Sequence, residues 1–117
     1  MFELKTANKS VPLKWGTWAM KRFCDLKKLS LNEFFTYLSR GEFSISDTVL
    51  MLQSAAEYGY MKEKKPVDFD EVEICEWIDE TGGLGEGGQI YNFFSHVVNN
   101  TINEATVPAA EKKSSRK

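Results

Sequence analysis

The sequence has little of what most catalytic and metal sites are built from. Its one histidine, His96, has no second histidine or cysteine at ligand spacing, and no serine or cysteine motif marks a nucleophile. His96 reads as a partly exposed histidine on a helix. The two cysteines, Cys24 and Cys75, lie far apart, each among apolar residues at helical spacing. A disulfide or a metal site wants more cysteines or a close C-x-x-C pair, so both read as buried thiols acting as small hydrophobes. No run approaches the roughly 18 apolar residues of a membrane span, and the N-terminus has no signal-peptide core. A soluble, cytosolic protein is expected, with no catalytic residue, cofactor or metal, and no membrane partner.

Net charge is small as well, at −2 over 117 residues. Residues 111–117 (EKKSSRK) carry four basic side chains and one acid, a local +3 that leaves the remainder at −5. An acidic body lacks the basic face that non-specific nucleic-acid binding needs, so no nucleic-acid partner is expected. What the chain does have is apolar and aromatic bulk: 42% hydrophobic residues and 13% aromatic. That is enough for the core of one domain. It also leaves open whether some aromatic surface stays outside the core, and a patch of that kind marks a partner groove.

Residues 11–29 (VPLKWGTWAMKRFCDLKKL) hold two of the three tryptophans and read as the stretch that anchors the core. Residues 2–5 and 11–15 flank an Asn-containing turn, which predicts an N-terminal β-hairpin with Pro12 on an edge strand. A first helix follows from Thr17, read as its N-cap, to Lys28, burying Trp18, Phe23 and Leu26. Ser30 and Glu33 form a capping box, with Leu29 and Phe34 as a hydrophobic staple, for a second helix over 31–39. That helix buries Leu31, Phe34, Phe35 and Leu38, and Gly41 stops it.

Ser44 caps a third helix with Ile45, Val49, Leu52, Ala56 and Tyr60 on one face, and the all-apolar run Val49–Leu52 makes it the central one. Asp68 with Glu71, and Val67 with Val72, predict the start of a fourth helix burying Phe69, Val72, Cys75 and Ile78, with Trp77 beside them. The fifth helix, 89–103, carries an amphipathic stripe of Ile90, Phe93, Phe94, Val97, Val98 and Ile102. The fold class expected is mainly α: a compact bundle of about five short helices with an N-terminal β-hairpin. The domain spans 1–103, and 104–117 reads as a disordered basic tail.

Two features invite sharper readings. Gly83, Gly85 and Gly88 spell G-x-G-x-x-G before a helix, but a dinucleotide site needs a strand ahead of the loop, and here a helix precedes it. The loop reads as a hinge. Seven acids lie between Asp68 and Glu80 with no base among them. They lack the residue order of a calcium loop, and read either as a solvated face or as a docking surface for a basic helix.

The segments KWGTWAMKRFCDL, YLSRGEF, SDTVLMLQSAAEYGY and DFDEVEICEWIDETGGL, in that order, resemble the tail assembly chaperones of long-tailed bacteriophages. The resemblance covers roughly residues 2–100 and rests on pattern and order. It implies a non-enzymatic protein of the host cytoplasm, absent from the mature virion, that binds and solubilises the helical tape measure protein during tail assembly. It further implies recruitment of tail tube subunits and self-association around the client. The family's pattern defines no binding residue to carry over. From the residues themselves, the groove expected is Trp15, Trp18, Phe34, Phe35 and Tyr37, with Asp70, Glu73 and Glu76 in its acidic rim. The alternative is a small phage-encoded interaction module that docks on a host protein through the same surface.

Overall fold

The computed structural model describes the backbone of residues 1–41 and 43–106, and side chains as far as Thr101. Five helices follow an N-terminal hairpin, as the hydrophobic periodicity predicts: β1 Phe2–Lys5, β2 Ser10–Leu13, α1 Thr17–Lys27, α2 Leu31–Arg40, α3 Ile45–Lys62, α4 Glu71–Glu80 and α5 Gln89–Thr106. The expected tail begins too early. Residues 104–106 continue α5, and 107–117 lie outside the described residues.

The hairpin pairs antiparallel with Phe2 opposite Leu13 and Leu4 opposite Val11. Its turn is closed by Thr6, whose N–H donates to Lys9 O at 2.9 Å and whose hydroxyl oxygen accepts from Lys9 N–H at 3.1 Å. Pro12 faces Glu3 in a two-stranded sheet, where both strands are edges, so its missing N–H costs the ladder little. An isolated hairpin is marginal in water, and this one leans on α3. Lys14 N–H donates to Ala55 O at 3.0 Å, and Leu4, Val11 and Leu13 are buried. Gln89 fastens β1 to the start of α5 by giving and taking a bond with the Lys5 backbone, at 3.0 and 2.8 Å.

The centre of the molecule is α3 rather than the 11–29 stretch. Met51, Leu52, Ala55 and Ala56 are fully buried, and α1, β2 and α4 all pack on this helix. Stretch 11–29 puts Ala19 and Phe23 into the core, while Trp18 and Leu26 stay half-buried. Ile45 is 67% exposed despite sharing the predicted α3 face, because it sits in the first turn, beyond the neighbouring helices. Leu31, likewise at the first position of α2, is 57% exposed.

The capping expectations divide cleanly. Ser30 and Glu33 form the reciprocal box at α2, Gly41 closes that helix with φ +67°, and Ser44 caps α3 by accepting from Asp47 N–H at 3.0 Å. At α1 the N-cap is Gly16, with no side-chain bond, and Thr17 is the first helical residue. At α4 the cap is Asp70, accepting from Glu73 N–H at 2.9 Å, because the D-x-x-E pattern occurs twice and the later copy is used. Phe69 is thereby left outside the helix, wedged against Tyr60 and Trp77 at 5.0 Å from each ring. The buried face becomes Ile74, Trp77 and Ile78. Val72 is then 67% exposed, Val67 46%, and Cys75 lies on the surface, not in the core. Trp77 decides the rotation, since it has the largest apolar side chain to hide.

Candidate functional site

The aromatic residues expected to form a groove are divided by the fold. Phe34 is fully buried, packed on Phe23 at 5.7 Å, and is core. Trp15 is half-buried against Phe34, and its indole N–H donates to Thr101 Oγ1 at 2.9 Å, tying the hairpin exit to the far end of α5. Phe35 lies half-buried beside Phe34. Trp18 turns away from this group and stacks on Tyr58 of α3 at 5.5 Å. These rings are structural packing and do not make one open groove.

Tyr37 has a different task. Its hydroxyl donates to Asp47 Oδ2 at 2.6 Å, and Lys27 Nζ reaches Asp47 Oδ1 at 2.7 Å. One carboxylate thus joins α1, α2 and α3. Burial by itself would raise the Asp47 carboxyl, but bonds from Lys27, Tyr37 and Ser44 outweigh it and hold the group below the usual aspartate range. Burial first, and the adjoining carboxylate second, push the Tyr37 hydroxyl well above an ordinary tyrosine. The cluster is a satisfied junction and leaves no free group for chemistry.

The acids expected as a rim run along α4. Glu73 is paired with Lys9 at 2.8 Å, and that ammonium also stands 5.4 Å from the Trp77 ring centre. The Glu73 bond raises Lys9 above an ordinary lysine. Asp70 spends one oxygen on its cap, and Glu76 is exposed. Because α4 packs on α3, and α2 on α5, these acids stand on a different helix pair from Phe34, Phe35 and Tyr37.

Glu73 and Glu76 do line a polar hollow of about 250 Å3 between the hairpin turn and α4, with Lys9 and Trp77. A more apolar opening lies elsewhere. An apolar cleft of about 410 Å3 runs between the start of α3, the outer side of α5 and the glycine loop. Its wall on α5 is Tyr91, Phe94 and Val98, at i, i+3 and i+7. This is a second apolar stripe, offset by one residue from Ile90, Phe93 and Val97, which enter the core. One position corresponds to about 100° around a helix, so α5 presents apolar surface in two directions. Phe43 forms the floor, edge-on to Phe94 at 5.6 Å and to Tyr37 at 5.1 Å. Ile45 and Leu84 complete the sides, exposed at 67% and 44%, with Tyr91 at 43%.

Comparison with known proteins adds no relative. The chain matches no family model, no curated protein and no solved structure.

The glycine loop has a part in that cleft. It follows α4 rather than a strand, with Gly82, Gly83 and Gly87 at positive φ and Gly83 N–H donating to Ile78 O at 2.9 Å. These turns carry Leu84 outward to the cleft edge. His96 is exposed on α5, as expected. Among the described residues no group of three or more His, Cys, Asp or Glu stands ready for a metal, and no helix is long and apolar enough to cross a membrane.

Of the cleft residues, Phe94 and Val98 belong to the amphipathic stripe that the sequence of α5 predicts. The signal that separates them was the width of that stripe, five apolar positions in nine residues. Leu84, a lone large apolar residue among glycines, was the other available hint.

Proposed function

We propose that this protein is a non-enzymatic tail assembly chaperone that holds an amphipathic helix of the phage tape measure protein in the α3–α5 cleft. The observation that carries the reading is the second stripe on α5. A helix facing solvent on that side would normally be polar there, and Tyr91, Phe94 and Val98 together with exposed Ile45 and Leu84 leave a continuous apolar trough. Side chains this exposed do not enclose a small ligand, which wants most of its own surface buried. A trough suits an amphipathic helix, laid in by its i, i+3, i+4 and i+7 residues.

The chemistry of the client agrees with that geometry. A long helical protein with bare apolar faces aggregates, and a small helical partner that covers those faces keeps it in solution. Recruitment of tail tube subunits and self-association around the client belong to the same proposal, and rest on the resemblance alone. The test is co-expression with the tape measure protein of the same genome, followed by a solubility assay and pull-down. The reading expects the tape measure protein to become soluble only with this partner, and to co-elute with several copies of it. A tape measure protein that stays insoluble would refute it and leave the host-directed docking module.

A further inference from the structure

The cleft is distinguished by its electrical neutrality as much as by its apolar surface. Among the described residues none that lines it is charged, in a chain where 27% of residues are. The neutrality extends along most of the outer helix. From Gln89 to Asn103, α5 has no Asp, Glu, Lys or Arg, although Tyr91, Asn92, His96, Asn99 and Asn100 all face solvent. A helix kept only for solubility carries charge on such a face, whereas depletion of charge with aromatic enrichment is the compositional mark of an interface centre.

We infer that the segment held in this cleft is a helix whose docking face is itself uncharged, gripped by apolar contact and neutral hydrogen bonds rather than by ion pairs. The inference rests on the cleft being the client site. A lysine or glutamate laid against the α5 wall would lose water and meet no opposite charge among the described residues lining the trough, a penalty that disfavours it. Ser95 and Asn99 at the margins offer hydroxyl and amide groups to Ser, Gln or Asn beside the apolar residues. The wall from Tyr91 to Asn99 spans about 12 Å of helix axis, enough for roughly two turns of a partner helix. No α4 residue lines the cleft, so the acidic face is not its rim.

The test uses two synthetic amphipathic peptides of about five helical turns. They share one leucine and alanine face, flanked by Gln and Ser in the first and by Lys in the second. Binding to the full chain is measured by calorimetry at about 50 and 500 mM salt, which spans the range where surface charge is strongly screened. The expected result is that the neutral peptide binds more tightly and its Kd changes less than about twofold with salt. Ile45→Glu with Tyr91→Glu should abolish that binding, while Glu76→Lys with Glu80→Lys on α4 should leave it unchanged. Both cleft positions are exposed, and an acid in the first turn of α3 suits the helix dipole, so the first pair keeps the fold.

Tighter binding of the lysine peptide, weakened by salt and lost with the α4 pair, would overturn the inference. So would a chain that is dimeric in sedimentation until Tyr91→Glu disperses it, since a second copy would then own the cleft. If neither peptide binds but the tape measure protein still co-elutes, the neutral-face inference falls and the chaperone reading stands. If both fail, the reading itself is wrong.

Discussion

Replacing Gly59 with alanine should unseat the hairpin from the molecule. A Cβ at this position of α3 would stand 2.1 Å from Pro12 O, 2.7 Å from the Pro12 carbonyl carbon and 3.2 Å from its Cβ. A carbon and a carbonyl oxygen approach no closer than about 3.3 Å, so β2 would have to retreat by more than an ångström. That strand has no slack. Its core residues Val11 and Leu13 are buried against α3, and Lys14 N–H is bonded to Ala55 O one turn away. Alanine is worth about 1 kcal/mol over glycine inside a helix, which offsets part of the cost. Forced overpacking costs typically about 1–3 kcal/mol and more where backbone must move, so a net loss near 2 kcal/mol is expected. For a domain of this size that lowers Tm by roughly 8 °C or more in a calorimetric scan. Gly85→Ala serves as the control, because a Cβ there meets nothing within 4 Å and its backbone is not left-handed. An unchanged or raised Tm for Gly59→Ala would show that α3 and β2 are not in this contact.

Two further outcomes follow from the packing and the buried carboxylate. Phe34→Ala should cost about 3–5 kcal/mol as a core truncation, and Trp18→Ala clearly less, because Trp18 is only half-buried; denaturant midpoints rank the two. Asp47→Asn should cost about 1–3 kcal/mol at neutral pH through its bonds to Lys27 and Tyr37. The folded Asp47 carboxyl lies below its ordinary value, so on acidification the unfolded chain takes up its proton first. The stability due to this group is therefore present above about pH 4 and lost as pH falls below it. The gap between wild type and Asp47→Asn should close in acid, and a gap constant with pH would contradict the assignment.

Much of the architecture was legible because local signals and global packing agree. The Ser30–Glu33 box, the Ser44 cap and the Gly41 stop lie where the chain uses them, and the all-apolar run at Val49–Leu52 marks the helix that others cover. Where two registers of one signal compete, sequence pattern does not choose. The α4 start moved from Asp68 to Asp70 because burying Trp77 outweighs burying Val72 and Cys75. The binding surface was the least legible part. Aromatic content points to Trp15, Trp18, Phe34, Phe35 and Tyr37, but large rings are equally what a small core consumes, and Phe34 is wholly consumed. The cleft depends on which side of α5 remains uncovered, and that is a property of helix placement.

The most direct measurement is the co-expression assay repeated with Ile45→Glu and Tyr91→Glu together, with Tm checked in parallel. Both side chains are exposed on the cleft margin, so Tm should stay near that of the wild type. If the cleft holds the client, the tape measure protein returns to the insoluble fraction and no longer co-elutes. If it remains soluble and bound to the doubly substituted chain, the cleft is not the client site and the account of this surface is wrong.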